Sequence, residues 1–355
     1  MEQWSNCIFL GECLAAMKHL ENSLQEQIQL IYIDPPFFSG TDYTLKEKSE
    51  GDPSAAPELK ETPIFSDKWE GGLREYLAFM RPRLEKMHAL LKSSGSLWVH
   101  VDFHVAHYLK VMLDEIFGYE NFVNQIVWKR TNSPKSQTSG FGNQHDLLLL
   151  YAKDHTEFST ETVYRKHDER SLRPYSYEDD RGRFRLIEIE AHGIQRTEGR
   201  KQFEWRGRRA PYLYSEDTLE KWWKQGRIYT SRNGRYSKKQ YLSERKGVPV
   251  SDLWIDISPI QGSSAEYTGF STQKPLALLS RIIESATRPA DLVADFFVGS
   301  GTTAIAAEKL GRRWIVCDSQ EVAVDLLLKR LRDMERDQKT EYKYTVLNIE
   351  DDTGR

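Results

Sequence analysis

Asp291-Leu-Val-Ala-Asp295-Phe-Phe-Val-Gly299-Ser300-Gly301-Thr302-Thr303-Ala304 reads as a buried strand, a glycine-rich turn and the first residues of a helix. Glycines at such a turn let the backbone approach a ligand where a side chain would intrude. Asp318 closes the next apolar strand 23 positions after Asp295, where a carboxylate can bridge the two ribose hydroxyls of an adenosine group. The pattern predicts nucleotide binding and leaves the nucleotide open. Gly299-x-Gly301-x-x-Ala304 also fits the dinucleotide fingerprint of an NAD-dependent oxidoreductase, and a tight turn without a ligand has the same spelling. No Gly-Lys-Ser/Thr follows, which argues against a phosphate-cradling P-loop.

Outward from this stretch, strand and helix alternate. Pro275 to Ile283 reads as a helix, Thr302 to Leu310 as another, and Arg313 to Cys317 as a strand. Far upstream, Ile28 to Ile33 is an apolar run stopped by Asp34-Pro35-Pro36, so a buried strand ends in a sharp turn. Leu73, Leu77, Met80, Leu84, Met87 and Leu91 mark an amphipathic helix that Gly95 is expected to end. Strands over 96–102, 126–128 and 147–151 and a helix over 105–117 complete the rhythm, which predicts a doubly wound α/β sheet of parallel strands. Thr41 to Pro63 is polar and interrupted by Pro53, Pro57 and Pro63, and reads as a mobile loop. From 155 to 250 the alternation dissolves into short polar, aromatic and arginine-rich pieces. The expected organisation is one domain over 1–154 and 251–335, an inserted module over 155–250, and a C-terminal tail over 336–355.

The chain has 355 residues, 39% of them hydrophobic and 29% charged, the composition of a soluble globular protein. No apolar run reaches the length of a spanning helix, and the first residues lack the order of a secretory signal, so a cytosolic location is expected. Cys7, Cys13 and Cys317 are odd in number, lie in or beside apolar segments and are not spaced as metal ligands; buried thiols are expected. The net charge of −3 is unevenly distributed, since residues 155–250 hold 22 Lys and Arg against 15 Asp and Glu, and the remainder carries −10. A basic segment sits within an acidic body.

Asp34-Pro35-Pro36-Phe37 has the chemistry that methylation of an exocyclic amine demands. The lone pair of such a nitrogen is delocalised into its ring, and acceptors aimed at its two N–H bonds localise it; Asp34 and the Pro35 carbonyl can supply them. Pro35 and Pro36 are stiff and carry no N–H, so the acceptors are held in place, and Phe37 offers a face on which a flipped base can stack.

With both motifs in view, the chain resembles the amino-specific DNA methyltransferases of the permuted beta class. There, Asp-Pro-Pro-Tyr/Phe lies near the N-terminus and Phe-x-Gly-x-Gly near the C-terminus, as Asp34 to Phe37 and Phe297 to Gly301 do here. The resemblance covers roughly 6–153 and 251–330. It implies a mostly parallel, seven-stranded, Rossmann-like methyltransferase sheet with an inserted target-recognition module, and S-adenosylmethionine as cofactor. It also implies a cofactor site of Asp295, Phe297, Gly299, Gly301, Thr302 and Asp318. Thr272-Gln273-Lys274-Pro275 is similar to the family segment that holds the methionine carboxylate of the cofactor, so Thr272 and Lys274 join it. Gly11-Glu12-Cys13 would end the third strand near the cofactor's adenine, although Asp is commoner where Glu12 stands.

Asp rather than Ser before the two prolines favours adenine N6 over cytosine N4 in this family. Arg181, Arg183 and Arg185 alternate along one face, Arg206, Arg208 and Arg209 follow Trp205, and Lys221 and Lys224 flank Trp222 and Trp223. Basic residues interleaved with aromatics suit phosphate contact and base stacking, and Arg183, Arg206, Arg208 and Lys221 are the expected DNA contacts. His100, His104, His107 and His145 lack a metal-site signature and no metal is expected. Asp102 is read as lining the pocket or capping a turn. The expected partner is double-stranded DNA, with RNA as an alternative substrate because the turn grips an amino group and not a sugar; the resemblance adds a homodimer and a cognate restriction nuclease as partners.

Overall fold

The computed structural model describes residues 5–48, 59–131, 140–191 and 202–349. The chain forms two compact units, Met1–Val163 with Ser251–Arg355, and Tyr164–Val250. The first unit opens with β1 (Asn6–Leu10), α1 (Cys13–Leu24), β2 (Ile28–Ile33), β3 (Asp42–Lys48), β4 (Leu59–Ser66), α2 (Gly72–Leu90), β5 (Leu91–Val101), α3 (Ala106–Phe117), β6 (Phe122–Lys129) and β7 (His145–Ala152). The second unit holds β8 (Tyr164–Arg165), α4 (Glu169–Leu172), β9 (Tyr177–Asp179), β10 (Gly182–Glu188), β11 (Phe203–Trp205), β12 (Arg208–Ala210), α5 (Glu216–Lys224), β13 (Ile228–Thr230), β14 (Tyr236–Tyr241) and β15 (Val248–Pro249). The first unit resumes with β16 (Leu253–Trp254), α6 (Leu276–Ala286), β17 (Leu292–Asp295), α7 (Thr302–Lys309), β18 (Arg313–Asp318), α8 (Glu321–Gln338) and β19 (Tyr344–Asn348).

Among the described residues the main sheet has nine strands in the order β16-β6-β7-β5-β2-β17-β18-β1-β19. The seven expected strands are its interior, and the two-residue β16 and the late β19 extend its edges. The pairings are parallel except where β7 runs against β5 and β6, so the sheet is mixed and mostly parallel. β2 and β17 are neighbours, with Leu30 opposite Val293 and Ile31 opposite Ala294. The strand ends bearing Asp34 and Asp295 therefore lie side by side, at the place where chain direction across the sheet reverses and a ligand crevice opens. The core is made by the apolar strands together with the inner face of α2, where Tyr76, Met80, Leu84 and Met87 are buried at helical spacing.

Three expectations change. α2 stops at Leu90 and β5 begins at once, so Gly95 is a strand residue; a Cβ there would meet the Ile28 carbonyl at 2.8 Å, and the close approach of β2 selects the glycine. The described part of the 41–63 segment is an antiparallel hairpin, β3 with β4, in which Leu45 and Ile64 are buried against Phe270 and Tyr43 stacks on Phe65 at 4.8 Å. Pro63 is tolerated because the ladder slips register beside it; Pro53 and Pro57 lie outside the described residues. The presumed tail completes α8 and then supplies β19, paired in parallel with β1 from Asn6↔Tyr344 to Leu10↔Asn348.

The second unit is a four-stranded antiparallel sheet, β13-β14-β10-β9, with the hairpin β11-β12 and helix α5. Ile189, Trp205, Ala210, Tyr212 and Leu219 form its core. Aromatics that the sequence offered for base stacking thus partly serve folding, Trp205 being 2% exposed. Among the described residues no helix is long and apolar enough to cross a membrane. Cys13 and Cys317 are buried free thiols and Cys7 is half-buried.

Candidate active site

A cavity of about 790 Å³ opens at the carboxyl ends of β2, β17 and β18. Asp34 to Phe37 line one side, and Asp295, Phe297, Gly299, Thr302 and Asp318 another; Thr272 and Lys274 also face it, and Tyr43, Ile64 and Phe65 of the hairpin wall it. Two motifs from opposite ends of the chain therefore share one space, of the size that takes a drug-sized ligand.

Asp67 fixes the chain that leaves the Asp-Pro-Pro-Phe turn. Its fully buried carboxylate accepts hydrogen bonds from the backbone N–H groups of Phe37 (3.1 Å), Phe38 (3.1 Å) and Ser39 (2.7 Å), from Ser39 Oγ (2.8 Å) and from Trp69 Nε1 (2.9 Å). Phe38 is held at φ +60°, a left-handed conformation that a bulky residue avoids. Phe37 is thereby presented from a rigid turn. Nothing in the sequence singles out Asp67, since its role exists only once the chain has returned from the hairpin.

Asp34 stands at the mouth of β2 with its two oxygens in different conditions. Oδ2 accepts from the Lys274 ammonium, while Oδ1 is buried with no hydrogen-bond partner among the described residues. A buried acceptor without a donor is costly, and an incoming N–H relieves it. Lys274 also lies 5.4 Å from the centre of the Phe37 ring.

The glycine turn is held by Asp318, whose carboxylate accepts from Gly299 N (2.8 Å) and Gln320 N (3.0 Å). Loss of hydration raises the Asp318 pKa against these bonds. Gly301 caps α7 at φ +83°, and a Cβ there would meet Leu327 Cδ1 at 2.6 Å. Thr302 is buried, with Arg330 Nη1 donating to its hydroxyl at 3.1 Å. Asp295 accepts from Phe297 N (3.0 Å) and from Thr303 Oγ1; burial, reinforced by the charges of Asp34 and Asp318, still pushes its pKa up to about 7.

Beneath the turn runs a buried chain that sequence reasoning missed. Tyr32 OH is hydrogen-bonded to His100 Nδ1 (2.9 Å), His100 Nε2 to Asp146 (3.2 Å), and Arg130 Nε pairs with Asp146 at 3.2 Å. Burial alone would raise the Asp146 pKa, but the His100 hydrogen bond and the charges of His100, Lys274 and Arg130 hold it below the ordinary value. Phe37 stacks on His100 at 6.0 Å and 28°. His100 and His104 are thus committed to carboxylates, the latter to Asp102, which lines the cavity and also accepts from His104 N at 2.9 Å. His107 and His145 are exposed.

Several expected residues are placed elsewhere. Cys13 does not line the cavity: it begins α1, its Sγ takes a hydrogen bond from Arg83 Nε (3.2 Å), and burial pushes its pKa up to about 12. Glu12 caps the same helix through Ala15 N and pairs with Arg83. In the second unit Arg183 donates to the Tyr175 carbonyl, Arg206 to Glu220, and Arg208 to both oxygens of Glu190 at 2.6 and 2.9 Å. These guanidinium groups serve the unit's own packing, whereas Lys221 and Arg209 are exposed. Arg208→Ala is expected to destabilise this unit by about 2–3 kcal/mol, because Glu190, 8% exposed, loses a bidentate counter-ion. Lys221→Ala changes stability by less than ~0.5 kcal/mol. Chemical denaturation of the two variants checks the contrast.

Comparison with known proteins gives a consistent set of likenesses. The DNA methylase family model N6_N4_Mtase matches residues 28–329. Type II methyltransferase M.EcaI of Enterobacter cloacae is 30% identical over 309 residues, covering 86% of this chain and 65% of that protein. Type II methyltransferase M.KpnI of Klebsiella pneumoniae is 26% identical over 359 residues, covering 87% and 78%. The Mod subunit of the Type III restriction-modification enzyme StyLTI of Salmonella typhimurium is 26% identical over 344 residues, covering 88% and 52%. This chain thus spans from about half to about three quarters of the length of these relatives.

Proposed function

The chain belongs to the DNA methylase family, and from that premise we propose that it transfers a methyl group from S-adenosylmethionine to an exocyclic amino nitrogen of a base flipped out of duplex DNA, with adenine N6 as the target. The observation that carries this reading is Asp34 Oδ1, a buried acceptor without a donor in the same cavity as the glycine turn and Asp318. Asp rather than Ser before the prolines supports adenine.

The residues present fit the cofactor. Gly299 leaves room for close backbone approach, Asp318 and Phe297 suit the adenosine portion, Thr272 and Thr302 border the cavity, and Asp295 adds a carboxylate to its wall. Gly301 does not line the cavity and is a glycine because Leu327 packs against it. Bound there, S-adenosylmethionine supplies an electrophilic methyl on a sulfonium. Asp34 Oδ1 and the Pro35 carbonyl receive the two amine N–H bonds and return the lone pair to nitrogen. Phe37 holds the base face, braced by His100. Held this way, the amine nitrogen would be oriented toward the methyl group with no bond formed to the protein, and the proton it loses would pass to solvent in the cavity.

The second unit, with Lys221, Lys224 and Arg209 exposed, is proposed to bind DNA through its phosphates. A partner nuclease is proposed from relatives named as restriction-modification enzymes. Labelled methyl incorporation into duplex DNA and into RNA, followed by nucleoside analysis, tests the reading. N6-methyladenine in DNA is expected; N4-methylcytosine moves the assignment to cytosine, and label in RNA alone overturns it.

Asp295 makes cofactor binding pH-dependent. With a pKa of about 7 its carboxyl ionises as pH rises from 6 to 8, adding negative charge to the wall of the cavity that would hold the cationic cofactor. The dissociation constant of S-adenosylmethionine is expected to fall about 3- to 10-fold over that range, on the order of 1 kcal/mol for one added charge in a partly solvated cavity. Asp295→Asn flattens the dependence in calorimetry; an unchanged slope refutes it.

A further inference from the structure

Lys274 lies next to the N-cap of α6, Pro275, and its ammonium reaches across to the strand end of β2. Two of its three donors are directed at the protein, one to Asp34 Oδ2 and one to the Thr272 carbonyl at 3.4 Å. Both side chains are largely buried, Lys274 at 12% and Asp34 at 16% exposure. Among the described residues Lys274 is the one side chain bonded to Asp34. Without it the carboxylate has a free rotor on a stiff prolyl turn, and either oxygen can face the cavity. With it, Oδ2 is occupied, and Oδ1 is the oxygen left without a donor among the described residues.

We propose that Lys274 is a positioning residue for Asp34, fixing which carboxylate oxygen meets the target amine, and that this is its principal role at the site. The inference rests on the methyltransferase reading above. It departs from what the Thr-Gln-Lys-Pro resemblance implies, namely that the lysine holds the cofactor's carboxylate. The two roles have opposite kinetic signatures. A cofactor ligand is felt in cofactor affinity and is bypassed at saturation, whereas a group that orients Asp34 is felt in the chemical step however much cofactor is present. The buried ion pair is a means of holding geometry, since such pairs add little net stability.

Lys274→Met and Lys274→Arg, compared with wild type and Asp34→Ala, decide between them. The readouts are calorimetric S-adenosylmethionine binding and single-turnover methylation of duplex DNA at saturating cofactor. In Lys274→Met the single-turnover rate is expected to fall about 10²-fold while cofactor affinity stays within about threefold; Lys274→Arg recovers to within about tenfold of wild type. The Asp34→Ala/Lys274→Met double variant is expected to be no slower than Asp34→Ala, because removing the carboxylate leaves Lys274 nothing to position. An affinity loss of about tenfold or more with an unchanged saturated rate overturns the proposal, as do additive losses in the double variant. If Lys274→Met does not fold, Lys274→Arg carries the same comparison: normal affinity with a reduced rate supports the proposal, and reduced affinity with a normal rate overturns it. Wild-type protein that binds the cofactor but labels no DNA overturns the parent reading instead.

Discussion

Asp34→Ala slows methyl transfer to duplex DNA by about 10³-fold at saturating substrates, while S-adenosylmethionine binding stays within about threefold. The expected size comes from what Oδ1 does. It is a buried acceptor with no partner among the described residues, suited to an N–H that gains positive charge as the nitrogen attacks. Removing one preorganised hydrogen-bonding group of this kind costs about 10²–10³ in rate, and a charged partner is at the upper end. Cofactor affinity is spared because Gly299, Gly301 and Asp318 are arranged by their own strands and helix. Asp34→Asn is no rescue. An amide with its oxygen toward the amine turns its NH2 toward the Lys274 ammonium, donor against donor, and flipping it turns the NH2 toward the amine. Single-turnover rates with calorimetric affinities measure both terms; a full rate in Asp34→Ala removes Asp34 from the chemistry.

The parts of this site that could be read in the sequence are those in which chemistry is local. Asp34 to Phe37 and Gly299 to Gly301 announce themselves because a prolyl pair and a glycine turn impose their backbone shapes without help from elsewhere. The apolar strands flanking them are long enough to show their period, so the strands themselves are legible, while the pairing of β2 with β17 comes from the family resemblance. β19 is five residues long with two apolar side chains near its end, below what periodicity can resolve, and it is a strand because β1 offers an open edge. The hairpin reads as a loop in the sequence because its buried apolar residues, Leu45 and Ile64, come from different strands and become a surface only against Phe270. The arginines of the second unit carry two signals at once: their spacing suits phosphate contact, and Glu190 and Glu220 in the same segment pair with Arg208 and Arg206. Asp67 and His100 depend wholly on register between distant segments.

Asp67→Ala is expected to destabilise the first unit by about 3–5 kcal/mol, because five donors lose one buried charged acceptor. A fall in melting temperature of about 5–10 °C corresponds to this. The left-handed Phe38 turns the loss into a functional one. At φ +60° it stores about 1–2 kcal/mol, and with its N–H released the backbone relaxes toward an allowed region, carrying Phe37 off the face it presents to the base. Methylation therefore falls further than stability alone accounts for, even at temperatures where the variant is folded. Asp67→Asn separates geometry from charge. Both carboxylate oxygens receive donors, Oδ1 from Phe38 N and Trp69 Nε1 and Oδ2 from Phe37 N, Ser39 N and Ser39 Oγ. Whichever way the amide is placed, its NH2 opposes at least two N–H or O–H groups. Asp67→Asn is consequently expected to lose at least ~2 kcal/mol despite near-identical shape, and a variant as stable and active as wild type disproves the assignment of Asp67 as the anchor of the turn.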